Sequence, residues 1–502
     1  LDRHTASAYL IALKYLQNED REQSQSTRTT QVNIKKKTAL GRRGHAKMFI
    51  RCEYVLNRLV KILILDLRLL IGGIIPVDEF MRRWFESVDL IKKLYSSNII
   101  YEIGPNNLPP VQDLNKAVVD AVKNPIGCEP LDRLVRPGMK VVVVADDITR
   151  ATPRDKILPV LLNELNRCGV PDNDITIVIA LGTHRYMSDD EILKCFGEEV
   201  VRRVRIVNHE WLDSSKLVYV GTTRNGTPVY VNKLVYEADF VVGVGSIIPH
   251  LYAGYGGGAK IIQPGVCGEK TTAYTHILAA MEDPMKLLGD PDNVVRKEME
   301  EVADVVGLDF IVNVVFNGRG EVVKVVAGDM RKAFREGVKV AETIYRREIP
   351  ELADIVVVNT YPALIDYWQA IKGFVHSQLG VREGGTVILY TDCPDRISPI
   401  HGKTFEKYRH ANIEELNKVI KEGVEEDLVG LATVYVHTKY IHRVECICVS
   451  EGLTPEDKEV LRFKHANTLL DALDMALAKH GRNAKIGIIH HGGEVYPALR
   501  KL

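Results

Sequence analysis

The sequence predicts an α/β protein made of two α/β domains with parallel-rich sheets. Short apolar runs recur at 139–145, 175–180, 240–244, 355–359 and 385–390. Each is too short for a core helix and is apolar on both faces, as a strand inside a parallel sheet must be. Between them lie longer stretches of helical periodicity, one opened by Ser188-Asp-Asp-Glu191, a capping box in which serine and glutamate satisfy each other's backbone N–H groups. The polar residues with chemical potential then gather just after the strands, at the edge where open parallel sheets bind ligands.

In chain order, residues 1–98 stand apart as a basic, atypical N-terminal extension. No acidic residue lies between Glu22 and Glu53, while Arg28, Lys35, Lys36, Lys37, Arg42, Arg43, Lys47 and Arg51 are basic. This reads as a solvated arm rather than a nucleic-acid contact. The first domain is expected over 99–345. It opens with a helix at 114–122, the strand at 139–145, a helix from Pro153 to Gly169 and the strand at 175–180. Short strands at 204–208 and 217–221 lead to the strand at 240–244. A charged helix at 292–305 precedes a hairpin, 309–315 and 322–327, turned by Asn317-Gly-Arg-Gly320. A second domain is expected over 346–484, after the 330–346 helix. It has a helix from Tyr367 to Gly373, strands at 434–436 and 443–449, and helices at 413–425, 456–462 and 468–479. Residues 485–502 form a terminal strand whose expected destination is the first domain.

The chain of 502 residues is 46% hydrophobic and 26% charged, which suits a globular protein of two or three domains. Lys plus Arg and Asp plus Glu both number 66, so net charge gives no drive towards nucleic acid. Eight cysteines include no C-x-x-C, which points to reduced thiols and a cytoplasmic protein. No signal peptide or membrane span is expected, since Leu59–Pro76 is interrupted by Lys61, Asp66 and Arg68.

The richest stretch is Gly245-Ser-Ile-Ile-Pro-His-Leu-Tyr-Ala-Gly-Tyr-Gly-Gly-Gly-Ala-Lys260. Its glycines let the backbone turn sharply, and their N–H groups are expected to converge on an anion. It is neither a Walker loop nor G-x-G-x-x-G. Lys260 reads as an anion partner or as a nucleophile towards a cofactor. Asp147 and Arg150, flanking Ile148 and Thr149, are either a surface ion pair or a ligand contact. His184 and His250 at neighbouring strand ends make an acid–base pair. His276 could bind nickel or zinc, but one histidine does not define a metal site. Gln369 and Lys372 share a helix face.

Together, Asp147-Ile-Thr-Arg150, Gly182-Thr-His184, Pro249-His250, Gly257-Gly-Ala-Lys260, His276 and Trp368-Gln-Ala-Ile-Lys372 resemble the nickel-pincer lactate racemase family in order and spacing. The resemblance covers residues from about 99 onward. It implies two α/β domains with the active site in the cleft between them. It implies nickel and a pyridinium-3,5-bisthiocarboxylic acid mononucleotide, covalent on Lys260, with His276 on the metal. Asp147, Ile148, Thr149 and Arg150 would contact the nucleotide, Gln369 and Lys372 the substrate. His184 and His250 would exchange the hydroxyl proton while hydride leaves C2 and returns. The implied function is an isomerase, a racemase or epimerase of a 2-hydroxy acid, partnered by that small molecule and by cofactor-synthesis proteins. Three positions depart from the family: Gly256 where serine is common, Ala259 where a larger residue often precedes the lysine, and Trp368 where tyrosine occurs. The alternatives are a non-catalytic nucleotide- or nickel-binding protein of the same fold, and a nucleotide-dependent dehydrogenase, against which the missing G-x-G-x-x-G counts.

Overall fold

Two six-stranded sheets carry the chain, and a computed structural model describes residues 77–500. The basic run and Leu59–Pro76 lie outside the described residues. Among the described residues, no helix is long and apolar enough to cross a membrane.

The first sheet runs Val322–Gly328, Phe310–Phe316, Phe240–Ser246, Val141–Asp146, Ile175–Ala180, Arg205–Asn208. Its pairings are parallel except for the hairpin expected across residues 317–320, which is antiparallel. The strands Val141–Asp146, Phe240–Ser246 and Phe310–Phe316 are buried throughout, which is why they read as unbroken apolar runs. Ser188 and Glu191 form the capping box that starts the helix Asp189–Arg203.

The second sheet is parallel throughout and runs Ile99–Ile103, Ile486–Ile489, Ala353–Asn359, Val381–Tyr390, Glu445–Val449, Lys464–His465. Here the expected domain limits need correction. Ile486–Ile489 does not return to the first sheet; it sits between Ile99–Ile103 and Ala353–Asn359. Ile99–Ile103, expected to open the first domain, is an edge strand of the second sheet. The tail strand Tyr496–Leu499 pairs with Arg346–Ile349. Pairing across such sequence separations leaves no local signature.

Part of the supposed extension is ordered. Val77–Tyr95 is an amphipathic helix whose Trp84, Val88 and Ile91 pack on Ile355, Val357 and Ile388 of the second sheet. Trp84 is fully buried, and its indole N–H donates to His490 Nδ1 at 2.8 Å, while His490 Nε2 meets Glu102 at 3.0 Å. His490 is thereby a packing residue.

Residues 434–436 are not a strand. They lie in the helix Leu428–Ile441, buried from Val429 through Thr438. A helix enclosed on all sides has no polar stripe, so Val434-Tyr-Val436 shows β-like alternation without a competing helical period. This helix packs on Glu269–Met281 and so braces the helix that carries His276.

Candidate active site

Three adjacent strands of the first sheet deliver three loops to one place. Asp147–Arg150 follows Val141–Asp146, Gly182–His184 follows Ile175–Ala180, and His250 follows Phe240–Ser246 in a two-residue strand pairing with Gly254–Tyr255. Lys260 sits in the 3₁₀ turn Gly258–Ile261 and His276 on the helix Glu269–Met281. From the second sheet comes the helix Tyr367–Ser377, capped by Asp366 and carrying Gln369 and Lys372 one turn apart. All these side chains except those of Ile148 and Thr149 line one cavity, which holds about 1010 Å³ of empty space, its open mouth included. Ile148 and Thr149 line a smaller neighbouring cavity.

His184 is fixed from two sides. Its Nδ1 lies 2.7 Å from Asp147 Oδ2, and Asp147 also accepts from the Thr149 backbone N–H at 3.1 Å. Burial alone would raise the Asp147 carboxyl, but the His184 ring and Arg150 hold it well below the usual carboxylate range. An ionised Asp147 must accept the proton of Nδ1, which leaves the Nε2 lone pair of His184 to accept from Gln369 Nε2 at 3.1 Å. Gln369 is oriented for that donation because its Oε1 accepts from Lys372 Nζ at 2.6 Å and from Arg150 at 3.3 Å. Asp147 is therefore the partner of His184, and its sequence-expected pairing with Arg150 is not made by hydrogen bond. Burial keeps the His184 imidazole below its ordinary value despite Asp147, so the ring is neutral with a basic Nε2.

His250 has the opposite arrangement. Its Nδ1 accepts from the backbone N–H groups of Tyr252 at 3.2 Å and Ala253 at 3.3 Å, so its ring proton is on Nε2. Burial, with Lys260 and Lys372 nearby, keeps it neutral. His276 places Nδ1 2.9 Å from the carbonyl of Thr272, which fixes the proton there and leaves Nε2 as a free donor atom. The Tyr252 ring stands edge-on to both, with centroids 6.0 Å from His250 and 5.4 Å from His276.

Two N–H groups of the glycine loop expected to form an anion nest are spent inside the protein. The N–H of Gly256 donates to Ile248 O at 2.7 Å, and that of Gly258 to Asn313 Oδ1 at 2.9 Å. Its carbonyls are taken too: fully buried Arg296 donates to Ala253 O at 3.2 Å, to Gly257 O at 3.0 Å and to Tyr255 O. The guanidinium lies 4.2 Å from the centroid of Phe334. Glycine is required for closeness: a Cβ on Gly257 would come within 2.8 Å of Asn313 Oδ1 and of Ile247. The loop is a braced platform for Lys260. No sequence signal singled out Arg296, because its role comes from a helix packing behind the loop.

The basic groups at the cavity are side chains. Arg150, Lys260 and Lys372 face the cavity, while Asp146 is held by Arg154 at 2.7 Å and Asp147 by His184. Loss of water, then the charges of Arg150 and Arg296, push Lys260 down to about 7, and burial likewise pushes Lys372 well down. Ser246 Oγ, buried in the cavity wall, has no hydrogen-bond partner. A buried unpaired hydroxyl costs about 1–3 kcal/mol, a cost that a polar ligand would remove. Among the described residues, no three His, Cys, Asp or Glu side chains gather as a metal site. A metal on His276 would thus take its other donors from a ligand.

The model of the lactate racemase N-terminal domain matches residues 87–289, and that of the lactate racemase C-terminal domain matches 349–496, together more than half of the chain. The chain belongs to the lactate racemase family. It is accordingly an isomerase of the racemase type. The lactate racemase of Lactiplantibacillus plantarum is 28% identical over 385 residues, 75% of this chain and 89% of the relative. That of Thermoanaerobacterium thermosaccharolyticum is 28% identical over 383 residues, 75% and 88% of the two chains. The apoprotein structure of lactate racemase from Thermoanaerobacterium thermosaccharolyticum superimposes with a TM-score of 0.72 at 27% identity, covering 81% of this chain and 96% of the other. A Thermotoga maritima protein shares the fold, with a TM-score of 0.61 at 20% identity over 77% of this chain and 97% of its own. In this lactate racemase family member the N-terminal match begins inside the helix Val77–Tyr95, where the sequence pattern alone had not located a boundary.

Proposed function

We propose that the chain racemises or epimerises a lactate-like 2-hydroxy acid with a nickel-pincer pyridinium mononucleotide joined to Lys260 and coordinated through His276. One observation carries the reading. Two neutral histidines face one cation-lined cavity in opposite tautomers, one offering a lone pair and the other an N–H.

The residues fit the cofactor. With a value near 7, a substantial fraction of Lys260 is free amine, the form that attacks an acyl carbon. His276 has its Nε2 free, Ser246 has a spare hydroxyl, and Thr149 and Arg150 stand at the next strand end for the nucleotide. When bound, the group supplies a reversible acceptor for the hydride on C2 of the substrate.

The chain's own residues do the rest. Lys372 holds the substrate carboxylate, and it has no carboxylate partner of its own among the hydrogen bonds it makes. His184 takes the hydroxyl proton on Nε2, and ionised Asp147 stabilises the imidazolium that forms. His250 presents Nε2–H to the substrate oxygen from the other side, so that the two rings stand on opposite sides of a proton transfer. Gln369, reaching His184 from the second sheet, closes the cavity and keeps water from the 2-oxo state. Cofactor-synthesis proteins are the implied partners. The cytoplasm is the proposed location, in keeping with seven described cysteines in the free thiol form.

The test is intact mass and nickel content after co-production with cofactor-synthesis proteins, for the parent and for Lys260→Ala. A mononucleotide-sized adduct with nickel in the parent and neither in the variant is expected. An unmodified parent, in cells where a family member is loaded, refutes the reading.

A further inference from the structure

We infer that Trp368 is the wall that sets substrate size in this chain and limits it to short 2-hydroxy monocarboxylates. The inference rests on the racemase reading above and adds the substrate class to it.

A second cavity of about 420 Å³ adjoins the first. Trp368 lines both, as do Asp147, Thr183, His184 and Gln369, and it is the largest side chain of that shared partition. The partition is braced. The Trp368 ring stacks on His401, with centroids 4.1 Å apart and planes 25° from parallel. His401 is buried at 2% exposure, with Nδ1 2.9 Å from Asp427 Oδ1 and Nε2 3.3 Å from Thr183 Oγ1. Asp427 is held in turn by the Gly430 N–H at 2.8 Å and by Thr404 Oγ1. The Trp368 backbone N–H donates to Ile397 O at 3.0 Å. Swinging the indole aside would break the stack and expose a hydrogen-bonded imidazole.

The chemistry on each side agrees. In the main cavity, Lys372 suffices for one carboxylate, and Leu251, Tyr252, Met299 and Ile371 leave an apolar surround for a short alkyl group. Beyond the wall stand Asp366 and Asp395. The cation there, Arg185, is already tied to Glu191 at 2.8 Å and to Asp395 at 3.3 Å. A second carboxylate would find no free cation beyond the wall, and a chain of five or six carbons would meet the indole. Removing the indole takes away the largest side chain between the two cavities.

The experiment compares the cofactor-loaded parent with Trp368→Ala, Trp368→Phe and His401→Ala. Chiral chromatography follows lactate, 2-hydroxybutyrate, 2-hydroxyhexanoate and malate. Titration calorimetry with pyruvate and 2-oxohexanoate makes the same size comparison without turnover. The parent should favour lactate and 2-hydroxybutyrate over the six-carbon acid by at least about 10-fold in kcat/KM, since one misfit methylene is worth about that much. Trp368→Ala should raise the ratio of 2-hydroxyhexanoate to lactate, and of 2-oxohexanoate to pyruvate binding, by about 10-fold or more. His401→Ala should shift it the same way by less, Trp368→Phe should stay close to the parent, and no variant should gain malate. A parent that handles malate or the six-carbon acid as well as lactate overturns the inference. So does a Trp368→Ala protein that folds and loads but loses every substrate by one common factor. Loaded protein that racemises none of the four acids refutes the racemase reading instead, and the binding ratios then still decide whether Trp368 is a size wall.

Discussion

Lys260 is the residue whose chemistry depends most on its surroundings. Its amine falls from an ordinary 10.5 to about 7 through loss of water and the charges of Arg150 and Arg296. That shift corresponds to about 5 kcal/mol against the ammonium, at about 1.4 kcal/mol per unit, and it is an upper bound because the half-buried amine keeps some water in the open cavity. Competitive acetylation of the apoprotein between pH 5 and 10, read by peptide mass spectrometry, should give Lys260 a midpoint near 7. Exposed lysines in the same digest serve as the reference. Arg150→Ala should move the midpoint up. The linked stability has a definite sign: between about 7 and 10.5 the folded chain binds fewer protons at this site than the unfolded chain. Apoprotein stability should therefore rise with pH across that window, and Lys260→Met should remove that part of the slope. Lys260 titrating together with the exposed lysines would falsify the account of the cavity as a cation-rich, water-poor site.

Three further outcomes follow from the structure. His184→Gln and His250→Gln should each lower racemisation by about 10²–10⁴-fold while leaving the cofactor adduct in place, and loss of loading would reassign them as cofactor ligands. Because His184 is held below 6.5, the acid limb of kcat/KM should lie below that pH, and an acid limb above it would contradict the neutral ring. Trp84→Ala should cost about 3–5 kcal/mol in urea unfolding, since the indole is fully buried; a loss under about 1 kcal/mol would mean that the helix Val77–Tyr95 is not part of the folded unit.

The sequence by itself determined the local structure and the inventory of the site. Short β-branched runs such as 175–180 marked buried strands, Ser188 and Glu191 marked a helix start, and Asn317-Gly-Arg-Gly320 marked a hairpin. His184, His250, Lys260, His276, Gln369 and Lys372 were legible because parallel sheets bring ligand-binding residues to strand ends and because their order matches a family. What the sequence could not hold was anything decided by contact between distant segments. Only packing put Ile486–Ile489 beside Ile99–Ile103, and only burial on all sides made 428–441 a helix despite its β-like alternation. Hydrogen bonding in three dimensions gave His184 and His250 opposite tautomers, joined Asp147 to His184, and used up the N–H groups of Gly256 and Gly258. The physical reason is the same each time. Strand and helix propensities act over a few neighbouring residues, whereas a proton's position, a buried arginine or a shared cavity wall depends on groups that meet only after the chain has folded.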